Sequence, residues 1–189
     1  TGNGTTRTVD NIENVILDPG AGADTITVNS LSGSGLIQLV VRLGSGSADK
    51  LIVNGTSGAD TFTLSSTRYD DGSDTNTAND PAAIQIVTGG YTVLGVNPSR
   101  ADGDTVVVDA GAGNDVISAA AVASDLAALR LVGGSGNDTI VGSPFADVID
   151  SGLGDDTVTG GAGVDTFIDA GGTDTLGETV DSGAGPYDN

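Results

Sequence analysis

The chain has 189 residues, a formal net charge of −20, and neither histidine nor cysteine. This composition excludes a Ser-His-Asp triad, a Cys-His pair and a metal site held by imidazole or thiolate, and it provides no Lys and Arg cluster to bind nucleic acid or an anionic membrane surface. Aromatic residues make up only 3% of the chain. The remaining aliphatic residues suit thin layered cores better than one large core.

Aspartate supplies almost all of the acidity, since Glu13 and Glu178 are the only glutamates. Its short carboxylate suits turns and chelates beside backbone carbonyls, so the composition favours loops over helices. After Leu131 the sequence has no Lys or Arg but ten Asp and one Glu. We expect bound cations there, because such a segment would otherwise repel itself. A merely solvating acidic surface is the alternative explanation.

The first 130 residues repeat a turn followed by a strand at unequal intervals. Glycine and aspartate form each turn and β-branched residues follow, as in Gly20-Ala-Gly-Ala-Asp24-Thr-Ile-Thr. These looser turns contain the candidate metal ligands Asp24, Asp49, Asp60, Asp104 and Asp115. An Asp at a glycine turn also serves as a simple turn or strand cap, and that alternative stays open at all five.

Other segments of this part interrupt the pattern. Residues 36–43 and 83–87 are apolar and predict strands on other faces of the same coil. Residues 65–80 are polar without periodicity, which predicts an excursion from the coil that is either a linker or a binding loop. Residues 118–131 are rich in Ala, so a short helix competes with a strand over 129–132.

From Gly133 to Leu176 the sequence repeats every nine residues. The best copies are residues 133–141 (GGSGNDTIV) and 160–168 (GGAGVDTFI). A diffuse surface charge has no reason to recur at fixed positions relative to glycine, whereas a chelating loop does. The aspartates in step are Asp138, Asp147, Asp156, Asp165 and Asp174, and the apolar residues two places after them are Ile140, Ile149, Val158, Phe167 and Leu176.

This register resembles the repeats-in-toxin (RTX) family of secreted bacterial proteins, whose nonapeptides wind into a parallel β-roll. The resemblance implies a six-residue turn and a three-residue strand per nonapeptide, with two nonapeptides in each coil. Asp138, Asp156 and Asp174 would then line one edge of the roll, and Asp147 and Asp165 the other. Calcium sites are implied between residues 138 and 156, 156 and 174, and 147 and 165. The implied carbonyl ligands lie around Gly134, Gly136, Gly154, Gly161 and Gly163.

The chemistry of the residues favours calcium independently. Ca²⁺ takes six to eight oxygen ligands and accepts backbone carbonyls as readily as carboxylates, whereas Mg²⁺ demands compact octahedral geometry and Zn²⁺ prefers the absent His and Cys. Two copies depart from the motif. In one copy, Pro144 stands at a position where the motif accepts any residue, and Phe145 stands where it has glycine. In the other, residues 169–174 lack the opening glycine pair. We therefore expect weaker calcium binding at the outer sites.

The predicted fold is all-β, a right-handed parallel β-solenoid. An irregular β-helix over residues 1–130, with a polar loop at about 65–82, runs into an RTX-type β-roll over 131–181 and a tail over 182–189. One inward apolar residue per nonapeptide gives a thin core, with Ile140, Val158 and Leu176 stacked against Ile149 and Phe167. We therefore expect calcium binding to be coupled to folding of the C-terminal part.

The predicted function is that of a calcium-binding structural module, not an enzyme, from a larger secreted or cell-surface bacterial protein. The alternatives are an adhesive or polysaccharide- or ice-binding module, and a self-assembling surface-layer or filament subunit. The expected partner is calcium, with cell-surface polysaccharide or further copies of the chain as alternatives, and without nucleic acid or membrane insertion. Asp18-Pro19 and Asp80-Pro81 match the dipeptide at which some relatives cleave themselves, although ordinary turn chemistry explains both.

Overall fold

The structure is a computed structural model that describes residues 14–31, 33–44, 48–70, 80–168 and 170–177. Within these residues it contains fifteen β-strands in two sheets and no helix. The nine-stranded sheet has the order β1 (Asn14–Leu17), β3 (Gln38–Arg42), β7 (Tyr91–Val96), β6 (Ala82–Thr88), β5 (Thr61–Arg68), β9 (Val116–Ala121), β11 (Thr139–Val141), β13 (Thr157–Thr159) and β15 (Thr175–Gly177). The six-stranded sheet has the order β14 (Thr166–Ile168), β12 (Asp147–Leu153), β10 (Ala128–Ser135), β8 (Thr105–Ala112), β4 (Lys50–Asn54) and β2 (Thr25–Val28).

Apart from the two pairs made by β6, all strand pairs in these sheets are parallel, which confirms the predicted β-solenoid. The spacing of stacked aspartates varies in the first coils and becomes constant at 18 residues in the strict repeat. Aspartates on successive turns are 25 residues apart at Asp24, 55 at Asp49, 23 at Asp115 and 18 at Asp138. The last value, 18 residues, is the coil length that two nonapeptides imply.

Inward-facing side chains of both sheets form one apolar cluster. Strands β4 and β5 contribute two such residues each, for example Leu51 and Val53 in β4, while the three-residue strands β11 and β13 contribute one each, Ile140 and Val158. Strand alternation explains the difference, because only every second residue of a strand faces the core. The predicted stacking is confirmed: Ile140 pairs with Val158 and Val158 with Leu176 in one sheet, and Ile149 pairs with Phe167 in the other.

Four expectations outside the strict repeat have clear outcomes. Residues 36–43 contain β3, as predicted. Residues 83–87 form β6, but this strand runs antiparallel between β5 and β7, so it is an insertion in the nine-stranded sheet and not a further face of the coil. The predicted polar loop is wrong for residues 65–68, whose Ser and Thr residues continue β5. The competing helix within 118–131 is also wrong, because β9 extends to Ala121 and β10 begins at Ala128.

The sheets continue through residue 130, which lies inside β10. The predicted domain boundary at residue 130 marks a change in the regularity of the repeat and no break in the sheets. It stays a prediction. Residues 71–79 of the polar loop, residues 178–181 of the expected roll and the tail lie outside the described residues.

Candidate metal centre

Five aspartates stack in line at the start of consecutive strands of the nine-stranded sheet, and we call them the long ladder. The backbone N–H of each donates to Oδ1 of the next, at 2.7 Å from residue 60 to 115, 2.8 Å from 115 to 138, 2.8 Å from 138 to 156 and 2.9 Å from 156 to 174. The register of the strands places these residues opposite one another. The long ladder consists of Asp60, Asp115, Asp138, Asp156 and Asp174.

The central carboxylates of the long ladder are buried, with Asp115 1% and Asp138 2% exposed. Their Oδ2 atoms have no hydrogen-bond partner in the part of the chain that the structure describes. Burial raises the pKa of both carboxyls, and neighbouring carboxylates raise it further, against the hydrogen bonds that they accept from the backbone. Stacked turns about 4.8 Å apart imply a repulsion of about 3 kcal/mol per charged pair at an effective dielectric constant of about 20. The ladder is therefore a costly arrangement that a cation would relieve.

Glycines four and two residues before the aspartate shape each central turn. Gly134 and Gly136 have φ angles of +107° and +128°, which side-chain-bearing residues rarely adopt. A Cβ at Gly134 would also collide with the carbonyl oxygen of Gly111 in the turn above. The turns thus stack backbone against backbone and bring carbonyl oxygens to the edge where the carboxylates lie.

The other expected carbonyl ligands lie in equivalent turns. Gly154 precedes Asp156, and Gly161 and Gly163 precede Asp165, all with positive φ. Within the described residues, no group of three or more acidic side chains could hold an ion. A calcium ion at the long ladder would therefore take carboxylates from stacked turns and complete its shell with backbone carbonyls, which suits its preference for many hard oxygen ligands.

The edge of the six-stranded sheet carries two shorter sets of aspartates. In the short ladder, which consists of Asp24, Asp49 and Asp104, the N–H of the first donates to the second and that of the second to the third, both at 2.8 Å. Asp24, like the central long-ladder residues, has a buried Oδ2 atom without a partner among the described residues. In the offset pair, the N–H of Asp147 donates to Oδ1 of Asp165 at 2.9 Å.

These two sets do not form one continuous ladder. Asp104 precedes Thr105, which pairs with Ala128, so Ala127 occupies the next position in the short ladder. Asp147 lies two residues further along, opposite Leu129. The sequence-predicted aspartates therefore fall on one uninterrupted edge and one interrupted edge.

Three aspartates receive hydrogen bonds within their own turns. Oδ2 of Asp60 accepts from the N–H and hydroxyl of Thr56, at 2.6 and 2.8 Å. Oδ2 of Asp104 accepts from the N–H of Ser99 at 2.8 Å.

Asp147 is the most completely satisfied of the three. Its Oδ2 accepts from the N–H of Ser143 at 2.6 Å, and its Oδ1 from the hydroxyl at 3.0 Å. Burial nevertheless raises the pKa of Asp147 to about 6, and the positive charge of Arg100 offsets part of the increase.

Arg100 is a residue that the sequence pattern did not single out. Its guanidinium donates to Oδ1 of Asp125 at 2.9 Å, to the carbonyl of Ala127 at 3.2 Å and to the carbonyl of Ala146 at 3.2 Å. The side chain is 32% exposed. These partners are 25 to 46 residues away in sequence, so no local motif could have revealed the contacts.

A family profile described as the RTX calcium-binding nonapeptide repeat matches the chain in four copies, over residues 101–121 and 132–167. These segments carry RTX repeats. RTX repeats are calcium-binding structural elements that take up several Ca²⁺ ions, so calcium is the cofactor of this array. The match confirms the resemblance drawn from the strict repeat and extends it to the looser turns of Asp104 and Asp115.

No curated protein and no solved structure matches the chain significantly. RTX repeat proteins are typically secreted. No helix in the described residues is long and apolar enough to cross a membrane.

Proposed function

We propose that this chain is a calcium-binding structural segment of a larger secreted or cell-surface bacterial protein, and that its C-terminal part folds or stiffens when calcium binds. The observation that carries the proposal is the long ladder, where buried carboxylate oxygens of Asp115 and Asp138 have no protein partner among the described residues. Leaving buried charged oxygens without partners is costly, and carboxylate oxygens are the ligands that hard cations such as Ca²⁺ prefer.

The proposed ligands follow the stacking of the turns. Carboxylates of Asp115, Asp138, Asp156 and Asp174 would share ions between successive turns, with carbonyls around Gly134, Gly136 and Gly154. Asp165, with Gly161 and Gly163, and Asp24 lie in turns of the same glycine pattern. Each ion would neutralise repelling carboxylates and hold two turns together.

The coupling to folding follows from the thin core of the last coils. Strands β11, β13, β14 and β15 have three residues each and contribute one inward side chain apiece. Ordering a residue costs about 1 to 2 kcal/mol of backbone entropy, which such a core offsets poorly, so ion binding would supply the difference. Extracellular calcium modules bind at about 0.1 to 1 mM, which matches an ion concentration found outside cells and not inside them.

We propose no catalytic role, because the described ladders are structural stacks and RTX repeats are structural. Self-association is the second candidate. A cavity of about 230 Å³ lined by Ile149, Val158, Phe167 and Leu176 lies at the C-terminal end of the described coils. A further coil or another copy of the chain would cover it. Cell-surface polysaccharide and ice stay alternative partners without a specific surface feature to favour them.

A calcium titration by calorimetry, followed by far-UV circular dichroism, tests the proposal. We expect several ions to bind, strand signal to increase, and Mg²⁺ to have little effect. Asp138→Asn removes a carboxylate that stacks between those of Asp115 and Asp156, and it should lower the number of bound ions. Asp109→Asn, on the outward side of β8, is the matched control and should bind as the wild type does. Absence of calcium binding to the wild type would overturn the proposal.

A further inference from the structure

We propose that the edge of the six-stranded sheet between Asp104 and Asp147 is a calcium-free junction, in which Ser99, Ser143 and Arg100 provide the contacts that calcium provides on the long ladder. The inference rests on the proposed function, since it divides the aspartates of that function into ion ligands and self-capped residues. It removes Asp104 and Asp147 from the sequence-predicted calcium ligands.

The first step is the satisfaction of the carboxylate oxygens. Asp104 is 2% and Asp147 3% exposed, so both are as buried as the central residues of the long ladder. Yet Oδ1 of Asp104 accepts from the N–H of Asp49, its Oδ2 accepts from Ser99, and both oxygens of Asp147 accept from Ser143. At equal burial, each carboxylate oxygen of Asp104 and Asp147 thus has a protein donor, whereas the Oδ2 atoms of Asp115 and Asp138 have none among the described residues.

The second step is the residue that precedes the aspartate by four positions. It is Gly111 before Asp115 and Gly134 before Asp138, both with positive φ, and these turns leave Oδ2 without a donor. Before Asp147 the same position is Ser143, whose N–H and hydroxyl turn back to the carboxylate. Thr56 caps Asp60 in the same way, so the hydroxyl residue predicts a self-capped turn.

The third step is the position at which the short ladder ends. Ala127 stands where the next carboxylate would be, and no aspartate there can help to hold an ion. The Arg100 guanidinium donates instead to the carbonyls of Ala127 and Ala146. Ala127 immediately precedes β10, and Ala146 immediately precedes β12. The Arg100 side chain thus links two successive turns through their backbone carbonyl oxygens, and its ion pair with Asp125 fixes its position.

The three observations meet where the spacing of paired residues changes from 23 (Thr105 and Ala128) to 18 (Leu129 and Asp147). Asp147 lies two residues further along its strand than the position that corresponds to Asp104, so the two carboxylates do not stack. A side chain with a long reach tolerates such an offset, whereas an ion held at fixed distances does not.

Calcium stoichiometry measured by calorimetry on the full chain tests the division. We expect Asp147→Asn to bind as many ions as the wild type and Asp138→Asn to bind at least one fewer. Loss of an ion in Asp147→Asn would overturn the junction while leaving the proposed function intact. If Asp147→Asn fails to fold, Asp104→Asn answers the same question at the other side of the junction, because Asp104 is capped by Ser99 and should hold no ion either.

Thermal unfolding of the calcium-loaded protein tests the role of Arg100 independently of the number of bound ions. We expect Arg100→Gln to lower the midpoint by roughly 3 to 6 °C, since it removes charged hydrogen bonds from a partly buried site. Arg42→Gln is the matched control, because Arg42 lies 3.9 Å from Asp18 and both side chains are about half exposed. A shift no larger than that of the control would overturn the junction, whatever the calcium titration shows.

Discussion

The first and last coils of the solenoid have the same turns but different interiors. Strand β5 contributes Phe62 and Leu64 to the apolar cluster, β8 contributes Val106, Val108 and Ala110, and both strands are eight residues long. From β13 onward each strand has three residues, and Val158 is the last apolar side chain in them that is fully buried. From this comparison we predict that apolar burial stabilises the N-terminal coils by itself, while the C-terminal coils need ions to hold their turns together.

The largest effect that we predict is the response of the two parts to calcium removal. In chelator, amide hydrogens of β11, β13, β14 and β15 should exchange rapidly, while those of β4, β5 and β8 stay protected, because only the former depend on bound ions. Hydrogen exchange followed by mass spectrometry of peptides measures both parts in one sample. Equal loss of protection in both parts would show that the solenoid unfolds as one unit.

A smaller effect is expected from the apolar core. Phe62→Ala empties a site with 0% exposure and should cost about 3 to 5 kcal/mol of unfolding free energy, with or without calcium. Val158→Ala should destabilise the protein in calcium and have no effect in chelator, because its strand is then already unfolded. Denaturant unfolding in both conditions measures the difference, and Val87→Ala, 42% exposed, is the control for side-chain truncation. A calcium-dependent cost for Phe62→Ala would contradict the proposed independence of the N-terminal coils.

The smallest predicted effect is on the pH dependence of the calcium-free protein. Burial raises the pKa of Asp115 and Asp138, and that of Asp147 to about 6, above the ordinary value of about 3.9. The folded state then binds protons more tightly than the unfolded state, so stability is full below about pH 4 and is lost as the pH rises through about 6. In chelator, the thermal midpoint should be higher at pH 5 than at pH 7.5, and Asp147→Asn should reduce the difference. A midpoint that rises with pH would show that the buried carboxyls are not protonated in the fold.

The sequence predicts the C-terminal coils closely because the repeat fixes turns, strands and stacking together. A period of nine residues places Asp138 under Asp156 and Ile140 under Val158 without any knowledge of distant contacts. The strand alternation of the first coils was equally visible, since Thr, Val and Ile follow each glycine turn. Because the intervals between those turns are unequal, the sequence does not predict which of the turns stack on one another.

The insertion and the junction could not be predicted, because both depend on pairing between distant residues. The sequence of β6 has the composition of any buried strand, and nothing local indicates that it runs antiparallel to β5. The offset of Asp147 depends on how β10 pairs with β8 and β12, and the contacts of Arg100 cross from one turn to others. Ser143 occupies a position where the best copies of the nonapeptide have glycine, but only the geometry shows that its hydroxyl and N–H donate to the carboxylate of Asp147.

The hydrogen bonds of the long ladder all point the same way, since each aspartate N–H relies on the carboxylate of the turn that follows it. The hydrogen bonds of a turn are therefore complete only after the next turn of the chain has folded, so the solenoid has a direction. A chain that emerges N-terminus first would leave the amide of its newest turn unpaired until the next turn folds, and shortening it from the C-terminal side would leave one unsatisfied amide on whichever turn became the last.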